Sequence, residues 1–206
     1  MHVTIEGFLK AVLLHSIFLA ELILCKASYF SKYQNNFFNT SIQTVMILGI
    51  CSDSHDHVEN IRKAAALFSA HGVERVLHAG DYCSPFTVPL FKGLPLHGIT
   101  GNNDGDLYLL MKKFDEAGAT LHGGFYSFVA GSRSVALYHG TYPDITESLE
   151  LSGKYDLIIS GHTHQTRLES IGSSLALNPG TIHGFGSRGT VALVDTSNMD
   201  VSIEQL

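Results

Sequence analysis

Five short segments of this chain combine turn-forming residues with side chains that ligate metals. They are Ser52-Asp53-Ser54-His55, Gly80-Asp81, Gly101-Asn102-Asn103-Asp104, His139-Gly140 and Gly161-His162-Thr163-His164. Together they offer Asp53, His55, Asp81, Asn102, His139, His162 and His164. That mixture of carboxylate, amide and imidazole donors suits divalent transition metals such as Mn, Fe, Zn or Ni. Seven donors are too many for one ion and suit two ions that share a bridging ligand. The chemistry of such a pair is hydrolysis, with water activated between two Lewis acids.

The elements that must position these donors follow from the pattern between them. Each segment directly follows a run that reads as a strand: Val45–Ile50, Val73–His78, Leu96–Thr100, Ser134–Tyr138 and Leu157–Ser160. Val45–Ile50 is continuously apolar, as expected for a strand buried on both faces. Helical spacing marks Val58–Phe68, closed by His71-Gly72, and Leu107–Ala117, closed by Gly118. Pro85–Phe91 and Ile145–Leu151 read as short helices. Phe125–Val129 pairs with Ser134–Tyr138 as a hairpin, and Thr166–Ile171, Leu175–Leu177, Val191–Val194 and Val201–Ile203 complete the strands. A βαβα first half followed by mostly β predicts an α/β fold of mixed sheets with helices outside them. Donors at strand carboxyl ends are where open α/β sheets gather functional groups. Asp53-x-His55 and His162-x-His164, if extended, direct both side chains of each pair to one side.

Composition narrows the function classes. A chain of 206 residues, 45% hydrophobic, can bury one sizeable core. A net charge of -6, with 13 Lys and Arg in no long run, argues against an extended nucleic-acid surface. Cys25, Cys51 and Cys83 are widely spaced and form no CxxC pair, which fits a reducing compartment and a cytoplasmic location.

The first 45 residues differ in character. Phe8 to Cys25 is nearly all apolar but is interrupted by Lys10 and Glu21, short of an uninterrupted span of roughly 20 residues. No A-x-A cleavage pattern follows it. Residues 1–45 therefore read as an N-terminal extension with three alternatives: an accessory helix, a membrane anchor or uncleaved signal, or a start codon placed upstream of Met46. Membrane contact is expected only if the apolar segment belongs to the protein. Residues 46–206 form the expected catalytic domain.

In this order, D-x-H, G-D, G-N-x-D, H-G and G-H-x-H resemble the calcineurin-like metallophosphoesterase superfamily, and in particular its small single-domain prokaryotic phosphodiesterases. The likeness runs from about Met46 to the C-terminus, and Asn178-Pro179-Gly180-Thr181 extends it. It implies two mixed β-sheets packed as a sandwich with flanking helices. It implies that Asp53, His55 and His164 bind one divalent metal, that Asn102, His139 and His162 bind the other, and that Asp81 bridges them. Mn is the favoured metal, with Ni, Fe or Zn as alternatives. Asp81, Asn102 and Asp104 enter the catalytic set. The implied reaction is attack of a metal-activated hydroxide on a small phosphodiester, without a phospho-enzyme; a homo-oligomer is left open.

One departure stands out. Many members carry His where this chain has Asn103, and that His protonates the leaving group, a contribution of about 10²–10⁴ in rate. His183 and His78 are stand-ins, each with a simpler reading: a solvent-facing loop residue and a packed strand-end residue. Cys83 reads first as a small buried residue, Asp56, Asp106 and His122 as caps or solvated groups, and Arg188 as a surface residue. The alternative functions are a phosphomonoesterase or nuclease using the same site, and a non-catalytic scaffold like the retromer subunit of this fold. A scaffold should have lost several donors, and this chain keeps all seven.

Overall fold

The computed structural model describes residues 45–206 apart from Ser187. The extension, with its apolar segment, lies outside the described residues. From Ile47 the chain runs β1 (Ile47–Cys51), α1 (Val58–Ala70), β2 (Arg75–His78), a 3₁₀ turn (Pro85–Phe91), β3 (Leu96–Gly98), α2 (Leu107–Ala117) and β4 (Thr120–Leu121). It continues through β5 (Phe125–Ala130), β6 (Arg133–Tyr138), α3 (Pro143–Leu151), β7 (Leu157–Ile159), β8 (Thr166–Ile171), β9 (Ser174–Pro179), β10 (Thr190–Asp195) and β11 (Asp200–Gln205). Local chemistry sets the helix ends. Asp106 accepts the Leu109 N–H at 3.0 Å to start α2, and Gly118 closes it at φ +71°. His57, rather than Asp56, caps α1 by accepting the Asn60 N–H.

Two mixed sheets result, as the sequence pattern predicts. One is six-stranded in the order β11-β10-β1-β2-β3-β4, the other five-stranded in the order β5-β6-β7-β9-β8. Their facing sides bury Leu48, Ile50, Leu77, Val135, Leu137, Leu157, Ile159 and Val194 in one cluster. On the outer side of the first sheet Cys51 and Val76 meet Ile61 and Phe68 of α1 and Phe114 of α2. Ala136 and Ile158 meet Tyr155 and Leu149 outside the second. Alternation explains this division: Leu48 and Ile50 of β1 face the other sheet, while Cys51 faces the helices. Gly49 lies under Phe68, where a Cβ would come within 2.6 Å of the ring.

Parallel pairing is what gathers the motifs. β1, β2 and β3 run parallel, so the loops holding Asp53, Asp81 and Asn102 leave one rim of the first sheet. β6, β7 and β9 are likewise parallel and send His139, Gly161 and Pro179 to one rim of the second. The two-residue strand β4, too short to leave a pattern, was not foreseen.

Candidate active site

The motif loops are not extended. Asp53 (φ 52°), His55 (φ 39°), Asp81 (φ 60°), Cys83 (φ 68°), His162 (φ 67°) and His164 (φ 60°) are all left-handed. The two x-spaced pairs therefore converge through alternating left-handed residues, which corrects the extended geometry expected of them. Each such residue costs on the order of 1–2 kcal/mol, and such strain collects at functional sites. Hydrogen bonds between loops hold it in place: Asp53 N–H to Gly80 O at 3.0 Å and His55 N–H to Asp81 O at 3.1 Å. Asn178 fastens the last loop, its amide donating to Gly161 O and Thr163 Oγ1, and Thr181 Oγ1 donates to Asp53 O. Gly101 is needed for close approach, since a Cβ there would meet Asp81 Oδ1 at 2.2 Å.

Ligand atoms of Asp53, His55, Asp81 and His164 all lie within 4.8 Å of one another. His164 Nε2 is 3.2 Å from Asp53 Oδ1, and His55 Nε2 is 3.6 Å from Asp81 Oδ2. His139 Nε2 stands 3.4 Å from the same Asp81 Oδ2 and 3.0 Å from Asn102 Oδ1. The His162 ring centroid is 5.3 Å from that of His139, and the His162 N–H donates to Asp53 Oδ2. The other five sequence-predicted donors thus lie around Asp53 and Asp81, His162 by its backbone N–H and its ring beside His139.

His139 Nδ1 faces the carbonyl of Ala79 at 2.7 Å, so Nδ1 carries the hydrogen donated there and Nε2 is the atom turned toward Asp81 and Asn102. Asp53 Oδ1 is buried without a hydrogen-bond partner. Burial works against ionised Asp81, but hydrogen bonds from His139 and Asn103 hold it well below the usual carboxylate range. Asp53 is also lowered, against its own burial, by His55 and by the charges of His139 and His164. His55 is raised by the neighbouring Asp53, and His139 is raised by Asp81 despite burial. Two ionised carboxylates, an amide oxygen and imidazole nitrogens gathered in one site are donor types that fit divalent cations.

Several residues take parts that differ from those expected. Asn103 donates its N–H to Asp81 Oδ1 at 2.8 Å and its amide to Asp81 Oδ2 at 2.7 Å. Asp104, expected in the catalytic set, instead accepts the backbone N–H groups of Asp81, Tyr82, Cys83 and Gly101. Buried at 8% exposure, it holds the Asp81 loop. Cys83 is not a bland core residue: its Sγ lies 3.1 Å from His55 Nδ1, and burial pushes its thiol up to about 11. His183 does not face solvent but is buried, with Nε2 3.3 Å from His164 Nδ1. His78 is the packed residue expected, bonded to Ser54 Oγ and Gly80 N–H. Asp56 ties Ser84 down, and Arg188 Nη1 donates to Gln205 beside a cavity that His164 also lines.

A model of the calcineurin-like phosphoesterase superfamily domain matches residues 46–199. The chain belongs to that superfamily. A curated phosphodiesterase of Methanocaldococcus jannaschii is 35% identical over 161 residues, spanning 75% of this chain and 96% of the relative. A solved archaeal phosphodiesterase superposes with a TM-score of 0.75 at 32% identity, covering 78% of this chain and 100% of its own. An E. coli phosphoesterase (TM-score 0.58, 17% identical, covering 78% of this chain and 98% of its own) shares the fold. So does a single mutant of Vps29 from Entamoeba histolytica (TM-score 0.57, 17% identical, covering 78% of this chain and 98% of its own). Within this superfamily of calcineurin-like phosphoesterases the chain is a hydrolase. Among the described residues no helix is long and apolar enough to cross a membrane.

Proposed function

We propose that this protein is a phosphodiesterase acting on small phosphodiesters with two divalent cations. Asp53, His55 and His164 hold one and Asn102, His139 and His162 the other, with Asp81 shared. Mn is the favoured metal, with Ni, Fe or Zn as alternatives. The observation that carries this reading is the convergence of His55 and His139 on Asp81, with Asp53, His164 and Asn102 beside them. When bound, two such cations supply Lewis acidity toward phosphoryl oxygens and lower the pKa of water toward neutrality. The chain's own residues do the rest. Neutral Asn102 and imidazoles dilute the carboxylate charge, so the loaded site stays positive toward a phosphate anion. Asn103 spends its amide on Asp81 and offers no titratable proton to a leaving group. The reading therefore favours substrates with good leaving groups. The relatives named as phosphodiesterases support diesters over monoesters, and the net charge of -6 supports small substrates over long nucleic acids.

The test compares bis-p-nitrophenyl phosphate with p-nitrophenyl phosphate after chelation and reloading with Mn, Ni, Zn or Mg. Metal-dependent turnover is expected, faster on the diester. Absence of metal-dependent turnover on both would overturn the reading; faster monoester turnover would move it to a phosphomonoesterase.

A further inference from the structure

The donor cluster has a neighbour. A cavity of roughly 480 Å³ opens between α3 and the loop at Gly161–Thr163, and Gly140 and His162 belong to both its wall and the metal-ligand loops. Its size falls within the usual range for small-molecule sites. One side is α3, which contributes Thr146, Glu147 and Leu151; the other is β8, which contributes Arg167 and Ile171.

The chemistry of the wall selects its occupant. Arg167 is the Lys or Arg side chain on it, and its guanidinium is already engaged. It meets buried Glu150 at 2.6 and 3.3 Å and Glu169 at 2.8 and 3.0 Å. The wall therefore presents no unpaired guanidinium to a phosphate, while Glu147 adds an exposed carboxylate. Thr146 Oγ1 is shut from solvent and has no hydrogen-bond partner. Two carboxylates, Glu147 and Glu150, thus stand against the single guanidinium of Arg167 on an otherwise neutral wall. An anion is repelled, whereas a neutral group carrying hydroxyl or N–H donors finds partners. The Glu150–Arg167 pair clamps α3 to β8 and keeps the walls apart before anything binds.

The structure assigns this cavity to the esterifying group of the substrate, a neutral, donor-bearing moiety of nucleoside size, with the phosphate remaining at the cluster around Asp81. The assignment deepens the phosphodiesterase reading and rests on it.

Two esters with the same leaving group test it: thymidine 5′-(p-nitrophenyl phosphate) and methyl p-nitrophenyl phosphate. The expected ratio of their kcat/KM values in the Mn-loaded wild type is about ten-fold or more in favour of the nucleoside ester. Thr146→Trp, which fills the cavity, should bring the ratio toward one, and the exposed Glu147→Gln should lower it part of the way. A wild-type ratio near one overturns the assignment, as does an unchanged ratio in a natively folded Thr146→Trp protein. If Thr146→Trp does not fold, the ratio in Glu147→Gln decides. Thymidine alone, titrated into chelated protein and followed by NMR, separates this idea from the reaction. If neither ester is turned over with any metal, the phosphodiesterase reading falls. Saturable thymidine shifts at Thr146 and Thr163 would then uphold the cavity as a nucleoside site, and their absence would refute it.

Discussion

Asn103 holds both carboxylate oxygens of Asp81, one through its backbone N–H at 2.8 Å and the other through its side-chain amide at 2.7 Å. At this position the chain carries an amide that holds the Asp81 carboxylate through both of its oxygens. Partners of this kind around metal ligands are worth about 10–100-fold in metal affinity. Asn103→Ala should weaken Mn binding to the chelated protein by that amount in calorimetric titration. Unchanged affinity would mean that the amide does not set the carboxylate's orientation.

Asp81 lies 3.6 Å from His55 and 3.4 Å from His139, which the proposed function assigns to different ions, so its loss should affect both at once. Asp81→Asn keeps the volume and removes the charge. Elemental analysis of the Mn-loaded variant should find clearly fewer than two ions per chain, and diester hydrolysis should fall with it. Full occupancy with full activity would refute the bridging role.

Asp104 receives four backbone N–H groups in the loops around Asp81. Asp104→Ala leaves these amides without their charged acceptor and should cost roughly 3–5 kcal/mol of unfolding free energy. Urea denaturation measures this in chelated protein, where metal binding cannot mask it. Asp104→Asn, which keeps an acceptor, should lose less. A loss of activity at wild-type stability would instead return Asp104 to the catalytic set.

At Gly161 an added Cβ would sit 1.9 Å from Ser52 Oγ and 2.6 Å from Asp53 Oδ2. Gly161→Ala should therefore displace the Asp53 carboxylate, lower metal affinity and cost about 1–3 kcal/mol. Gly105→Ala, where a Cβ meets nothing within 4 Å, is the matched control and should behave like wild type in both measurements.

Burial pushes His78 down to about 3 from an ordinary 6.5. Below pH 6.5 the unfolded chain takes up a proton that the folded chain refuses. Stability is therefore complete above pH 6.5 and is lost as pH falls toward about 3, at roughly 1.4 kcal/mol per pH unit for this one group. Burial also lowers His97, to about 4, and adds a loss of the same sign. His55 and His139, which are raised, act with the opposite sign in the same window, so the comparison with His78→Gln is the measure. Between pH 7 and 4.5 the urea midpoint of chelated His78→Gln should fall less, or rise more, than that of the wild type, and equal slopes in the two proteins would contradict the buried neutral imidazole.

Much of the architecture was readable before any coordinates. Continuous apolar runs marked the buried parallel strands, Gly118 and His71-Gly72 marked helix ends, and turn residues beside His and Asp marked the functional loops. The failures share a cause. Asp-x-His was read by strand periodicity, but its residues lie outside the ladder, where φ is set by contacts with other loops. The motif that carries Asp104 does not reveal that four backbone amides converge on its carboxylate. His183 and Cys83 carried no periodic or spacing signal, and their contacts with His164 and His55 span 19 and 28 residues.

The chain by itself determined the donor types, their order and the strand ends that carry them, because these depend on local periodicity and turn chemistry. Only the tertiary structure decided how the donors meet. Parallel pairing brings loops from two sheets to facing rims, and hydrogen bonds between those loops hold six left-handed residues in place. The same convergence gave Asn103 to Asp81, buried Asp53 Oδ1 without a hydrogen-bond partner, and opened a cavity beside His162. None of these exists until loops 22 to 109 positions apart in the chain share one site.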